Sequence, residues 1–201
     1  MNKLVLAFIC SVMSLAIISC GSKNKSEHEA EQEPQKEEYT ISQEVFGIPL
    51  GISSIETAIS ELKRRGYDVF QVDTDWYVAE NIIDYEGINW DGLGLKVTDG
   101  RVVELRFMNN YSNSDEANYN LGKVSEKLKN KFGPDEEIAF DEFSQSNFIT
   151  FADFNNSNNM EVLAFNFISN QTNKPCLWLR YIYGRKFPES GIRSLKDYLF
   201  D

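Results

Sequence analysis

The chain has 201 residues and a formal charge of −11, with 31 Asp and Glu against 20 Lys and Arg. That balance argues against a nucleic-acid partner, whose binders present basic stripes; Lys123, Lys127, Lys129 and Lys131 form the one basic cluster and read as the solvated side of a helix. The single histidine, His28, stands in a polar N-terminal stretch, which excludes a Ser-His-Asp triad, a Cys-His pair or a His-based zinc site from the folded part. An enzyme here would have to work with carboxylates, Tyr, Lys or a bare Ser.

Residues 1–19 have the layout of a bacterial signal peptide: a weakly basic start at Met1-Asn2-Lys3, an almost unbroken apolar run over 4–18, and the small residue Ser19. The run falls short of the roughly 20 apolar residues a membrane-spanning helix needs. Ile17-Ile18-Ser19-Cys20 resembles the lipobox of bacterial lipoproteins. The resemblance implies cleavage after Ser19, acylation of Cys20 with palmitate-type chains, and anchorage in a membrane. Each buried methylene contributes about 0.8 kcal/mol to such anchorage. Gly21 stands where the family's inner-membrane retention signal places Asp, which implies the outer membrane, on its periplasmic or its exterior side.

Residues 20–44 follow as a tether. Its run Ser26-Glu27-His28-Glu29-Ala30-Glu31-Gln32-Glu33-Pro34 continues through Glu38 with hardly an apolar side chain, too little to offset the entropy of ordering, so disorder is expected. About 24 residues of flexible coil span on the order of 27 Å. Residues 45–201 are long enough for one domain with a sizeable core. Of three cysteines, Cys10 leaves with the signal and Cys20 is acylated. Cys176 stands alone in the domain and reads as a small buried hydrophobe.

Within the domain, Ser53-Ser54-Ile55-Glu56 matches a capping box with Ser53 as its first residue, and Ile55, Ala58, Ile59 and Leu62 recur at helical spacing. Lys63, Arg64 and Arg65 suit the last turn and Gly66 the left-handed stop, giving a helix over 53–65. Strands are expected at 67–72 and 76–82 around Asp73-Thr74-Asp75. The clearest hairpin runs from Leu93 to Phe107. Asp99-Gly100 suggests a two-residue loop, but that register sets Leu95 opposite Glu104. A three-residue loop, Thr98-Asp99-Gly100, pairs Leu95 with Val103 and Leu93 with Leu105 and makes one face wholly apolar, so it is preferred.

Residues 109–120 read as a polar, Asn-rich loop, with a second helix starting at Ser114-Asp115-Glu116. Its stripe is Ala117, Leu121, Val124, Leu128 and Phe132, and Gly133-Pro134 ends it. Strands follow at 136–140, 147–153, 161–168 and 177–183, and Ile192, Leu195 and Leu199 mark a terminal helix over 190–200. The order is a helix and four strands, twice, with halves at 45–112 and 113–187. It predicts an α+β domain: an antiparallel sheet with helices on one face, in two helix-plus-four-strand repeats.

The segment Gly47-Ile48-Pro49-Leu50-Gly51 before a helix ending Lys63-Arg64-Arg65-Gly66-Tyr67, with the later Leu128-Lys129-Asn130-Lys131-Phe132-Gly133, resembles uncharacterised lipoproteins of Gram-negative gut bacteria. The doubled helix-plus-four-strand order is similar to the β-lactamase-inhibitor-like fold. Neither resemblance carries functional residues onto this chain; the second implies a tendency to bind proteins.

Candidate sites are few. Asp73-Thr74-Asp75 fails as a calcium loop, with Val78 at the sixth position and Asp84 at the twelfth, so no metal is expected. Glu136, Glu137, Asp141 and Glu142 could supply a glycosidase's two carboxylates but read as a solvated flank, and Asp84, Glu86 and Asp91 have no better claim. In the last strand Leu177, Leu179, Tyr181 and Tyr183 share one face and Trp178 and Arg180 the other. If the first is core, Trp178 and Arg180 point outward. Trp and Arg anchor protein interfaces, so Trp178, Arg180, Trp76 and Trp90 form the expected binding surface. The reading is a membrane-tethered, non-enzymatic protein-binding or scaffolding module of the envelope. It has no catalytic residues and no cofactor, and its partners are the membrane through acylated Cys20 and an envelope protein. The alternatives are a carboxylate-dependent enzyme, or a module binding envelope or host glycans through exposed Trp.

Overall fold

The computed structural model of the chain describes residues 40–134, 136–137, 148–152 and 159–184. The expected signal peptide, Cys20, most of the tether and the expected terminal helix over 190–200 lie outside them.

A two-stranded ladder opens the domain, β1 (Glu44–Val45) against β2 (Ile48–Pro49), with Phe46 and Gly47 at φ 52° and 73° in its turn. Ile41, Val45, Ile48 and Leu50 are all buried, so packing begins before residue 45. Ile41 is an isolated apolar side chain in a polar segment, a pattern that signals no element.

Helix α1 (Ile55–Arg64) is capped by Ser54, whose hydroxyl accepts from the Thr57 amide, one residue later than the expected box. Ser53 is occupied elsewhere: its amide donates to the Pro49 carbonyl and its carbonyl accepts from the Val102 amide. The helix ends as expected. Gly66 sits at φ 90°, and the Tyr67 and Gly66 amides return to the Leu62 and Lys63 carbonyls.

Four strands follow: β3 (Val69–Gln71), β4 (Trp76–Tyr85), β5 (Ile88–Thr98) and β6 (Arg101–Asn110). Helix α2 (Ser114–Phe132) is capped by Asn113, which accepts from the Glu116 amide; the expected stripe Ala117, Leu121, Val124, Leu128 and Phe132 is buried in full. Four more strands follow among the described residues: β7 (Glu136–Glu137), β8 (Phe148–Ala152), β9 (Met160–Ile168) and β10 (Pro175–Tyr183).

The α+β class holds. The strands form an eight-stranded antiparallel sheet in the order β3-β4-β5-β6-β10-β9-β8-β7, so the second set of four mirrors the first about the β6–β10 seam. At that seam Arg106 pairs with Arg180, and Leu105-Arg106-Phe107 runs antiparallel to Leu179-Arg180-Tyr181. The core joins both helices to one sheet face. It includes Ala58 and Leu62 from α1, the α2 stripe, and Leu93, Leu95, Leu105, Phe107, Leu179 and Tyr181 from the strands. Tyr85 stacks on Phe107 with ring centroids 4.1 Å apart.

The central hairpin corrects the expected register. Thr98 pairs with Arg101, leaving a two-residue loop in which Asp99 and Gly100 both have positive φ. A bulge then places Val97 opposite Val102 but Lys96 opposite Glu104, so Val103 is the extra residue. Beyond it Leu95 faces Leu105 and Leu93 faces Phe107. The bulge, rather than a longer loop, gathers the apolar side chains on one face.

Candidate functional site

Directly paired residues of an antiparallel sheet share a face, so the ladders define what lies opposite the helices. The middle row there is Phe70, Val78, Gly94, Arg106, Arg180 and Leu163. One neighbouring row holds Gly92, Met108, Trp178 and Phe165, and the other Trp76, Lys96, Glu104, Ile182 and Glu161. Trp76 and Trp178 therefore flank Arg106 diagonally. The Arg106 guanidinium carbon lies 4.4 Å from the Trp76 ring centroid and 4.5 Å from that of Trp178, a cation held between two indoles.

Glycine makes the arrangement possible. A Cβ on Gly94 would stand 3.0 Å from Trp76 Cζ3, so the indole occupies the room a side chain would need. On the far side Trp178 meets Phe167 and Phe165 edge-on at 4.7 and 5.9 Å, within a small second cluster with Leu163 and Ile182. Phe70 at the β3 edge is 55% exposed, and Val78, Met108, Trp76 and Trp178 are half-buried.

Beneath the clasp lies an ionic cluster. Arg180 donates Nε to Glu104 Oε1 at 2.8 Å and Nη2 to Oε2 at 2.9 Å, a fork on a carboxylate, with both residues buried. Arg106 donates Nε to the same Oε1 at 2.8 Å. Burial pushes the Glu104 carboxyl up, but Arg180 and Arg106 outweigh it and hold it below its ordinary value. Burial likewise lowers Arg106, against the pull of Glu104. A cleft of about 350 Å³ opens beside this cluster, lined by Lys96, Thr98, Glu104, Arg180, Ile182 and Tyr183 among others.

The four expected surface residues thus divide. Trp178 and Trp76 lie together on the face opposite the helices, joined by Arg106. Arg180 shares that face but is buried beneath it, 1% exposed and forked onto Glu104, so it is no contact residue. Trp90 belongs to the helix-side core, 2% exposed, with its indole N–H donating to the Tyr85 carbonyl. Its strand begins at Ile88, five residues earlier than the hairpin pattern indicated. Arg106 and Glu104 escaped the sequence reading. The signal for them is the twice-used Leu-Arg-aromatic triplet at 105–107 and 179–181, an arginine between two core residues of a strand.

Of the other acidic candidates, Asp141 and Glu142 and the side chains of Glu136 and Glu137 lie outside the described residues, while Glu86 and Asp91 have structural work. Glu86 closes the β4–β5 turn at φ 49° and accepts from Lys131 Nζ at 2.9 Å and the Tyr181 hydroxyl at 3.1 Å. Asp91 accepts from the Asn110 amide at 2.8 Å. Cys176 is buried, and burial raises its thiol pKa. Among the described residues no group of three or more His, Cys, Asp or Glu could hold a metal ion, and no helix is long and apolar enough to cross a membrane.

No protein-family model, curated protein or solved structure matches this chain.

Proposed function

We propose that this chain is a lipid-anchored protein of the outer membrane whose domain docks another envelope protein, without catalysis, through the sheet face opposite its helices. The observation that carries the reading is the Trp76–Arg106–Trp178 clasp, set among half-buried Met108 and Val78 and exposed Phe70. Trp, Arg, Met and Phe are the residues enriched where protein interfaces concentrate their binding energy. A rigid clasp also loses little side-chain entropy on association. The anchor rests on Ile17-Ile18-Ser19-Cys20.

The chemistry of the cleft supports binding over catalysis. A carboxylate-dependent enzyme needs two acidic groups, one with a raised pKa. Glu104 is the one carboxylate among the described residues lining the cleft, and its pKa is lowered.

The deciding experiment is a pull-down from native envelopes with the acylated protein and with Trp178→Ala and Arg106→Ala variants. A specific partner captured by the wild type and lost in both variants is expected. A partner retained by both would move the docking surface elsewhere, and turnover by the purified domain would refute the non-enzymatic reading. Cys20→Ala is expected to release the protein from the membrane fraction.

A further inference from the structure

We infer that the Trp76–Arg106–Trp178 clasp is a carboxylate receptor, which takes an Asp or Glu side chain lying among apolar residues of a protein partner. The inference rests on the docking face proposed above and names the chemistry of what meets it.

Arg106 is held as a receptor should be. Its guanidinium is fixed between two indoles, and its Nε is committed to Glu104 at 2.8 Å. Glu104 is already forked by Arg180 through both oxygens, so it offers Arg106 one shared oxygen and no fork of its own. Among the described residues Nε is the one Arg106 nitrogen that donates within the protein, and the side chain keeps 13% of its surface open. The Nη pair is therefore a preorganised two-donor edge set in an apolar frame. A planar guanidinium edge matches a carboxylate bidentately, and low surrounding polarity strengthens the bond.

Two alternatives fit less well. A sugar would need a free aromatic face, but each indole has Arg106 over its ring, and Trp76 also lies against Gly94. A polyanion would meet a chain of net charge −11 and Glu80 exposed on the same face. A single carboxylate among apolar groups satisfies the Nη edge and covers Met108 and Phe70 together.

The test uses full-length protein in detergent and a displayed library of random dodecapeptides. Selected peptides are expected to carry Asp or Glu beside an apolar residue and to lose binding to Trp178→Ala. In a synthetic selected peptide, Asp→Asn should weaken binding about tenfold or more, the worth of one hydrogen bond to a charged group. Arg106→Gln should weaken it equally, and the two changes together should cost no more than either alone. Arg106→Lys keeps the charge but not the fork. It should show an intermediate loss at an unchanged urea midpoint, which separates recognition from folding. Peptides that need Trp178 yet show no acidic preference and ignore Arg106→Gln would overturn the receptor and leave the docking face standing. Selection of no Trp178-dependent peptide would overturn both. Binding of uronic-acid oligosaccharides instead, lost in Arg106→Gln, would overturn the protein partner.

Discussion

Adjacent residues on the same strands build two unlike faces. Leu105, Phe107, Leu179 and Tyr181 turn to the helices and are buried in an aliphatic and aromatic core. Arg106 and Arg180, between them in sequence, turn the other way into a cluster of one carboxylate, two guanidinium groups and two indoles. The helix face lowers the free energy by removing apolar surface from water. The ionic face does something else. Buried ion pairs commonly stabilise no better than apolar residues of the same volume, but they fix geometry and punish the loss of one member. The helix face thus accounts for the fold, and the opposite face holds Arg106 and its indoles in one place.

The largest expected effect tests that division at neighbouring positions. Phe107→Ala empties a site shared with Tyr85, Trp90 and Tyr181 and should cost about 3–5 kcal/mol. Arg106→Ala removes the stacked cation but leaves Glu104 forked by Arg180, and should cost about 0.5–2 kcal/mol. Urea denaturation of both variants gives the comparison. Equal losses would mean that the two faces do not divide the labour.

Glu104 sharpens the contrast. Glu104→Met leaves two arginines around a vanished carboxylate and should cost about 3–5 kcal/mol, whereas adding Arg180→Met should recover most of it. A double variant as unstable as the single would show that the ion pair itself supports the fold. The pH dependence has a fixed sign. The folded-state pKa of Glu104 lies below its unfolded value. Its contribution is therefore fully present above the ordinary carboxylate range, about 4.3, and is lost as pH falls through the lowered folded value. The stability gap between wild type and Glu104→Gln should hold at neutral pH and narrow in acid. A gap that widened on acidification would contradict the assignment.

The helix face was legible in the sequence because apolar periodicity reports it directly. The α2 stripe and the helix-plus-four-strand order, twice over, came out as read; the β1–β2 ladder before α1 gave no signal, and the terminal helix lies outside the described residues. The opposite face was legible only in part: Trp76 and Trp178 were read onto it, but Arg180 and Glu104 are polar in type and buried in fact. Arg180 alternates outward like any surface arginine, and nothing in its neighbourhood announces that Glu104 lies across the β6–β10 seam, 76 residues away. Trp90 misled in the other direction, since its single polar atom is satisfied by the nearby Tyr85 carbonyl and the ring can then enter the core. The hairpin register failed on one residue. Period-2 alternation cannot reveal a bulge at Val103, so a longer loop was the simplest way to align the leucines.

The smallest expected effect discriminates best between the two roles of the ionic face. Gly92 and Gly94 both sit within β5 on that face, where alanine is favoured over glycine by about 0.5–1 kcal/mol in a regular strand. At Gly92 a new Cβ would find its nearest neighbour, the Ala79 carbonyl oxygen, at an ordinary 3.5 Å, so Gly92→Ala should gain about that amount. At Gly94 the Cβ would lie 3.0 Å from Trp76 Cζ3. The ring must then yield by a few tenths of an ångström, and Arg106, stacked on it at 4.4 Å, must follow. The backbone gain and the displaced ring oppose each other, so Gly94→Ala should leave the urea midpoint nearly unchanged. It should still alter tryptophan emission and weaken partner capture, because the clasp is displaced while the core is not. Equal gains in stability at the two glycines, with capture intact in both, would show that the face tolerates a moved indole and that the position of Arg106 is not what it preserves.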